Sequence, residues 1–166
     1  QILSYTSSQA EMQFDSINQG EVLPADFDQR QAISWTHQLG FRRWSFAVSW
    51  NYHSGWPYTP PAGVGFEPKP GGGVTPRVEY EARNSARLPD YSRLDASVQY
   101  HFGEQHLTGT VGLSAFNLFN RVNLQNREFF VETQFAPGGN PVDYSVGTLE
   151  RTLLGRMVNL FLLLRW

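Results

Sequence analysis

The chain has 166 residues, of which 17% are charged, and its formal net charge is -2. Soluble domains usually carry charge on about 25% of their residues, so the composition is unusual for a protein whose whole surface faces water. Because the chain has no excess of basic residues, a nucleic-acid-binding role is excluded. Because it contains no cysteine, a disulfide framework and a thiolate metal site are excluded as well.

The hydropathy pattern argues against membrane helices. The longest uninterrupted apolar run is residues 160–164, whereas a transmembrane helix requires about 20 apolar residues. A membrane barrel stays open as an interpretation, because its strands alternate and never show a long apolar run.

Six segments alternate between apolar and polar residues, which is the pattern of a β-strand. In chain order they are residues 2–8, 32–39, 43–53, 94–102, 107–116 and 157–166. In the third, which is the clearest, an aromatic and apolar face alternates with a small or polar one: Trp44, Phe46, Val48, Trp50 and Tyr52 against Ser45, Ala47, Ser49, Asn51 and His53. About ten residues suffice for a tilted strand to cross a bilayer. No segment has the pattern of an amphipathic helix.

The connections between these strands are predicted to run long, short, long, short, long. The long ones are residues 10–26, about 58–90 and about 135–147; the tight turns lie around Gly40 and at Gly103-Glu104-Gln105. In an antiparallel up-and-down meander, this order places every long loop at one end, as in transmembrane barrels. A soluble β-sandwich also alternates, but its strands are usually shorter, about 5–6 residues, and its outer faces carry more charge than the Ser, Thr, Gln and Asn found here.

Five segments, in order, resemble the C-terminal part of TonB-dependent outer-membrane receptors, with a likeness to those of Bacteroidota. They are Asp-Phe-Asp-Gln-Arg at 26–30, Ser-Gly-Trp-Pro-Tyr-Thr at 54–59, Leu-Pro-Asp-Tyr-Ser-Arg-Leu-Asp at 88–95, Ser-Ala-Phe-Asn-Leu-Phe-Asn at 114–120 and Leu-Leu-Leu-Arg-Trp at 162–166. Within the last, Leu162, Leu164 and Trp166 resemble the insertion signal that the barrel-assembly machinery reads.

The resemblance implies an all-β fold in which residues 1–166 are the C-terminal segment of a large, 22-stranded barrel. The plug and the earlier strands would then be absent from this sequence. Six strands are too few for a barrel, since the known bacterial range starts at 8. We therefore expect the first and last strands to belong to a larger closed sheet, with residues 108–119 beside the last strand.

The resemblance further implies TonB-dependent uptake of a scarce nutrient across the bacterial outer membrane, with no enzymatic activity and no cofactor. The cargo is left open between a siderophore, a glycan and a peptide. Expected partners are outer-membrane lipid, the rest of the receptor, the TonB complex through the plug and, as an open question, a surface lipoprotein. The alternatives are a channel or adhesin barrel that does not use TonB, and a soluble β-sandwich binding module.

Ligand contacts are expected at the upper lumen wall and the long loops. The candidates are His53, Trp56, Tyr58, Arg83, Arg87 and Tyr91; alternatively, these residues only order the loops or contact lipopolysaccharide. Arg93 and Asp95 could pair nearby. The spacing typical of a zinc site is absent from the four histidines, which are His37, His53, His101 and His106; His37 is predicted to lie near a turn on the apolar side. No helix is predicted after Gly71-Gly72-Gly73, so these glycines do not form a phosphate-binding loop. Neither catalysis nor metal binding is therefore predicted.

Overall fold

The structure is a computed structural model that describes residues 1–16, 18–104 and 107–166. Strands account for 66% of the described residues, and the only helical element among them is a 3-10 turn at Asn18–Gly20. Nowhere in those ranges is there a helix of the length and hydropathy that crossing a membrane requires. The predicted all-β fold is confirmed.

Fourteen strands follow one another in the described part of the chain. They are β1 (Ile2–Ser7), β2 (Glu11–Met12), β3 (Leu23–Pro24), β4 (Gln31–Phe41), β5 (Trp44–His53), β6 (Pro57–Tyr58), β7 (Pro61–Pro68), β8 (Val74–Tyr80), β9 (Ala86–Arg87), β10 (Tyr91–Glu104), β11 (Leu107–Phe116), β12 (Leu124–Phe135), β13 (Pro141–Thr152) and β14 (Met157–Arg165).

Six of these strands form one antiparallel sheet in the order β1-β4-β5-β10-β11-β14. All six strands predicted from alternation are therefore present, joined in the predicted meander. The turn between β4 and β5 consists of residues 42 and 43, while Gln105 of the second predicted turn, and His106, lie outside the described residues. The three long connections meet at the opposite end, near His53 and Tyr91, which are paired across β5 and β10. We call the two ends the tight-turn end and the long-loop end.

The long connections are richer in structure than the sequence predicted. Two hairpins, β7–β8 and β12–β13, extend beyond the long-loop end, and the third connection covers residues 117–156 rather than about 135–147. Two features of the sequence explain why these hairpin strands were not predicted. Prolines and glycines in β7 read as loop, and Phe129, Phe130 and Val131 in β12 are consecutive apolar residues that hide the alternation.

The two hairpins pack against each other through aromatic side chains, and together we call them the crown. The rings of Phe66 and Tyr144 meet edge to face with centroids 5.4 Å apart. Phe129 contacts the ring of Tyr58 at 6.1 Å and that of Tyr80 at 6.4 Å. Such aromatic pairs stabilise a contact beyond the area they bury, so the crown is held by its own small set of rings.

Cross-strand register gives the six-stranded sheet two chemically distinct faces. Trp50 lies between Trp35 and Leu94, and Phe46 between Leu39 and Val98, so large apolar residues share one face. On this apolar face, the residues contributed by β4, β5 and β10 up to residue 102 include no Asp, Glu, Lys or Arg. The polar face is linked by side-chain hydrogen bonds that cross between strands: Ser34 to Asn51 at 3.0 Å, Thr36 to Ser49 at 3.4 Å and Ser45 to His101 at 3.1 Å.

His37 lies further from a turn than the sequence predicted. It is on the apolar side as expected, but it faces Val48 across the β4–β5 pair, four residues before β4 ends. Its ring stacks on Trp35 at 6.1 Å. The strand β4 extends two residues beyond the predicted limit at residue 39, which moves His37 toward the middle of the sheet.

The sheet has no hydrophobic core of its own. Among the described residues the buried apolar side chains are those of Leu23, Ala25 and Pro57, and all three lie in the long connections rather than in the sheet. The solvent-accessible surface is 11732 Å², against about 8,300 Å² for a compact monomer of this mass. The apolar face is thus uncovered, which a folded protein in water avoids.

Both edges of the sheet are open. β1 pairs only with β4, β14 pairs only with β11, and the two edge strands do not pair with each other. The predicted neighbour of the last strand, within residues 108–119, is confirmed, because the β11–β14 ladder runs from Thr108 to Phe116. The ladder with β1 stops at Thr36, although β4 continues to Phe41.

We predict that Phe129→Ala separates the crown hairpins, because this ring contacts both Tyr58 and Tyr80. The loss should be about 2 kcal/mol, below the range for a fully buried Phe because Phe129 is half-buried. Faster amide exchange in β7 and β12 would report it. The control is Leu149→Ala, whose side chain is 49% exposed; equal exchange in the two variants would contradict the prediction.

Candidate functional site

The best-packed part of the chain is polar and lies where the three long connections meet. Its buried side chains are those of Asp28, Asn84, Asn117 and Asn123, and we call this group the loop junction. Buried polar groups require hydrogen-bond partners. Asp28 and Asn84 have partners in another connection, whereas Asn117 and Asn123 have partners on β10. The loop junction therefore determines how the loops sit on the sheet.

Asp28 joins the first long connection to the second. Its carboxylate, with no exposed surface, accepts hydrogen bonds from the Ala10 N–H at 2.8 Å, from Arg30 Nε at 2.6 Å and from the Arg87 guanidinium. Arg87 also donates to the carbonyl oxygens of Asp28 and Gly55, at 3.0 and 3.1 Å. A buried carboxylate with several charge-assisted hydrogen bonds is strongly held.

Gly55 permits this close packing of chain segments. A Cβ at this position would lie 1.6 Å from the carbonyl oxygen of Leu88, so no other residue fits without moving the backbone. The Gly55 N–H also donates to Asp90 Oδ1 at 3.1 Å, and the Tyr52 hydroxyl donates to Asp90 Oδ2 at 2.8 Å.

Asn84 makes a second link between the first two connections. Its amide nitrogen donates to the Pro24 carbonyl at 2.8 Å and to Asp26 at 2.6 Å, and its backbone N–H donates to Thr59 Oγ1 at 3.1 Å. Asp26 also accepts a hydrogen bond from Arg83 at 2.8 Å.

Asn117 and Asn123 attach the third connection to the sheet. Asn117 donates to the carbonyl oxygens of Arg121 at 2.9 Å and Leu154 at 3.3 Å. The Asn123 side chain pairs with the backbone N–H and C=O of Ser92, both at 3.0 Å. Asn117 has φ near 50°, a left-handed conformation that asparagine tolerates better than most residues.

The pKa values of three aspartates in this region, Asp26, Asp28 and Asp90, are lowered, which favours their charged form. Burial alone would raise the pKa of the Asp28 carboxyl, but the Ala10 N–H and the guanidinium groups of Arg87 and Arg30 outweigh it and hold that pKa below its ordinary value. The Tyr52 hydroxyl and the Gly55 N–H likewise lower the pKa of Asp90.

Three of the six predicted ligand residues come together at the rim of the polar face. The rings of His53 and Tyr91 are parallel within 7° and 4.6 Å apart, and Trp56 lies 6.4 Å from His53. We call these three residues the aromatic stack. His53 Nδ1 donates to the Ser54 carbonyl at 3.0 Å, which fixes the ring, while the Trp56 side chain is 48% exposed.

The other three predicted residues are engaged elsewhere. The Tyr58 hydroxyl accepts a hydrogen bond from Arg127 at 2.9 Å in the crown, and Arg127 pairs with Glu150 at 2.5 Å. Arg83 and Arg87 bind Asp26 and Asp28. The alternative interpretation, in which these residues order the loops, describes the contacts of both arginines.

A polar group next to the aromatic stack completes the candidate site. Arg93 pairs with Asp95 at 3.0 Å, as the sequence suggested, and its guanidinium lies 4.3 Å from the centroid of the Phe116 ring. Arg93 and Asp95 lie on the same face as Tyr91 because they follow it at spacings of two residues. The site thus offers ring faces beside a charged pair, a combination suited to a ligand with both flat and polar parts.

Sequence reasoning missed Asp28, Asn117, Asn123 and Arg127 as positioning residues. Asp28 and Asn117 do fall inside the receptor-like segments at 26–30 and 114–120, so the resemblance marked these two positions without assigning them a role.

Within the described ranges no cluster of three or more His, Cys, Asp or Glu could hold a metal ion. Leu162 and Leu164 lie on the apolar face of β14, and Trp166 is 97% exposed at the tight-turn end.

Comparisons with known proteins returned no match to a family model, to a curated protein or to a solved structure.

We predict that Asp28→Asn detaches residues 8–30 from Arg87, with a local loss of about 3 kcal/mol, because removing one partner of a buried ion pair leaves the other uncompensated. Hydrogen exchange in residues 8–12 and 86–88 measures it. Asp26→Asn is the control: its side chain is 60% exposed, so its cost should be under about 1 kcal/mol.

The same contact should weaken in acid. Because the folded-state pKa of Asp28 is lowered, its contribution is complete above the unfolded value of about 3.9 and declines as the pH falls through the folded value. Hydroxyl-radical footprinting of residues 8–30 should therefore change only below about pH 4. Opening at neutral pH in the wild type would contradict this.

Proposed function

We propose that this chain forms the C-terminal part of the wall of a TonB-dependent receptor in the bacterial outer membrane. The observation that carries the proposal is the apolar face of the six-stranded sheet, which has no charged residue from residue 31 to residue 102. Lipid is the natural cover for such a face, because in water it would drive aggregation. Ser, Thr, Asn and Gln on the other face suit a wet lumen.

The crown supports the same orientation. Its exposed surface carries ion pairs, Glu67 with Arg77 at 3.8 Å and Glu128 with Arg151 at 3.1 Å. Charge is therefore excluded from the apolar face of β4, β5 and β10 up to residue 102 but present beyond the long-loop end, as expected if only the sheet crosses lipid. In this proposal the crown is extracellular, because long barrel loops face outward.

Aromatic residues lie at both boundaries of the apolar face. Trp44 and Trp166 are at the tight-turn end, and Trp50 and Tyr52 lie toward the long-loop end. The Trp50 indole N–H donates to Ser92 Oγ at 3.0 Å, and the Tyr52 hydroxyl donates to Asp90 at 2.8 Å. Rings with satisfied polar ends are typical of a membrane interface.

The open edges favour a larger sheet. Unpaired backbone groups in hydrocarbon each cost several kcal/mol, so β1 and β14 need neighbours that this chain does not supply. The proposal therefore includes further strands, which by resemblance belong to a 22-stranded barrel with a plug inside.

In this proposal the receptor takes up a nutrient with energy supplied through TonB. The aromatic stack, with Arg93 and Asp95 beside it, contacts cargo in the upper lumen, and the cargo class stays open between siderophore, glycan and peptide. A barrel that does not use TonB would share every feature of the sheet. Uptake by the full-length receptor that persists without TonB would favour that alternative.

A matched pair of substitutions tests the face assignment. Val48→Arg near the middle of the apolar face should destabilise the membrane-inserted protein by about 2–4 kcal/mol, because arginine would face hydrocarbon. Ser49→Arg, one residue along on the polar face, should be tolerated. Folding titrations in lipid vesicles measure both values; a larger loss from Ser49→Arg would reverse the assignment.

The terminal strand provides a second test. Deletion of Trp166, or its replacement by a charged residue, should reduce insertion of the full-length receptor more than trimming the loop around Gly72 does. The reason is the alternation of Leu162, Leu164 and Trp166 on the lipid-facing side of β14. Surface labelling in cells gives the measurement, and wild-type surface levels after the deletion would remove the role assigned to this strand.

A further inference from the structure

A cavity of about 490 Å³ lies on the polar face at the tight-turn end, away from the loop junction and the aromatic stack. Arg43, in the turn before β5, forms one side, and Arg165, at the end of β14, forms the other. His101 and Thr110, on β10 and β11, line the cavity as well.

The sheet register brings these residues to one face. His101 pairs with Thr110, and Thr108 pairs with Arg165. The backbone N–H of His101 donates to the backbone carbonyl of Arg43 at 2.8 Å. Directly paired residues of an antiparallel sheet have side chains on the same face. Arg43, in the turn that leads into β5, and Arg165, on β14, thus lie on opposite sides of a surface formed by four strands, and both line the cavity between them.

Gly103 leaves that centre open. It lies on β10 two residues beyond His101 and has φ near 108°, a conformation that favours glycine. A Cβ there would lie 2.1 Å from the Leu107 carbonyl oxygen. The required glycine supplies no side chain, and the space between the two arginines stays empty of protein atoms.

His101 is held in place as part of the cavity wall. Its Nε2 lies 3.1 Å from Ser45 Oγ, and its Nδ1 lies 3.0 Å from Thr110 Oγ1. With both ring nitrogens engaged, the imidazole has a defined orientation. The imidazole and the Thr110 hydroxyl, which line the cavity together with the apolar Leu163, are therefore preorganised, and preorganisation lowers the cost of binding.

The charge of the cavity is positive. No Asp or Glu lines it, and across residues 1–16, 18–104 and 107–166 neither Arg43 nor Arg165 forms an ion pair with an acidic side chain. The only acidic residue near this end of the sheet is Glu104, which alternates onto the opposite face from Gly103. Two guanidinium groups that share a cavity without a counter-charge attract an anion.

We propose that this cavity binds a phosphate group, with Arg43 and Arg165 as its two cationic contacts and the Thr110 hydroxyl as a neutral one. Guanidinium groups bind phosphate through two parallel hydrogen bonds, and a phosphate has enough acceptor oxygens to engage both arginines. The group belongs either to a free phosphate compound or to a phospholipid headgroup. The inference needs only the sheet register, so it stands apart from the transport proposal.

Isothermal titration of inorganic phosphate into the full-length protein in a neutral detergent tests the site. We expect saturable binding that weakens with added NaCl, because the contacts are ionic. Arg43→Gln and Arg165→Gln should each weaken it about tenfold or more. The matched control is Arg77→Gln, since Arg77 is 60% exposed in the crown and lies outside the cavity; binding by this variant should equal the wild type.

Two further measurements keep the result interpretable. Arg43→Lys retains the positive charge, so it provides a second test if Arg43→Gln fails to fold. The phosphate affinity of Arg43→Lys should lie between those of the wild type and Arg43→Gln. Native mass spectrometry after exchange into phosphatidylglycerol identifies the source: retention that depends on Arg43 and Arg165 indicates a headgroup, and phosphate binding without it indicates a free compound. Absent phosphate binding, or binding unchanged in both glutamine variants, would overturn the proposal.

Discussion

The register of the six-stranded sheet is the constraint on which the rest of the structure depends. In the β4–β5 and β5–β10 ladders, paired residues place aromatic and aliphatic side chains on one face and mostly small polar side chains on the other, as in the rows Trp35–Trp50–Leu94 and Thr36–Ser49–Asp95. A shift of one residue in any strand would exchange its two faces. The tight turn at residues 42 and 43 keeps β4 and β5 in step, and the hydrogen bonds of Ser34 with Asn51 and of Ser45 with His101 secure the polar face.

Stability in this chain is distributed differently from that of a soluble domain. The sheet has no buried apolar layer, and the residues with the least exposed surface are polar ones at the loop junction. Asp28 is held by hydrogen bonds from two connections, and the backbone N–H of Asn117 ties the third connection to Asp95 on β10. The connections are therefore anchored at points rather than packed along their length. The crown adds a second, independent set of contacts through Phe66, Phe129 and Tyr144.

Charge follows the same division of the molecule. It is absent from the central apolar face, present as ion pairs in the crown, and mainly basic at the tight-turn end, which contains Arg42, Arg43 and Arg165 but, among the described residues, a single acidic one, Glu104. The polar face therefore has two chemically different ends: aromatic rings with an Arg–Asp pair near the loops, and unpaired guanidinium groups near the turns. A ligand that suits one end would not suit the other, which makes the two proposed sites separable by mutation.

Local pattern determined the meander, because alternation over ten residues depends on the sequence itself and needs no distant contact. The six strands, the two faces, the order of long and short connections and the Arg93–Asp95 pair all follow from spacing. The aromatic stack was within reach for the same reason: His53 and Tyr91 end adjacent strands. The tertiary structure decided the rest. The crown depends on contacts between Phe66 and Tyr144, which are 78 positions apart, and its proline-rich and doubly apolar strands have no clean local period. Arg87 forms an ion pair with Asp28 rather than facing a ligand, because a buried carboxylate requires a positively charged partner. The cavity between Arg43 and Arg165 exists only because four strands bring them to one face, a consequence of pairing that no single segment encodes.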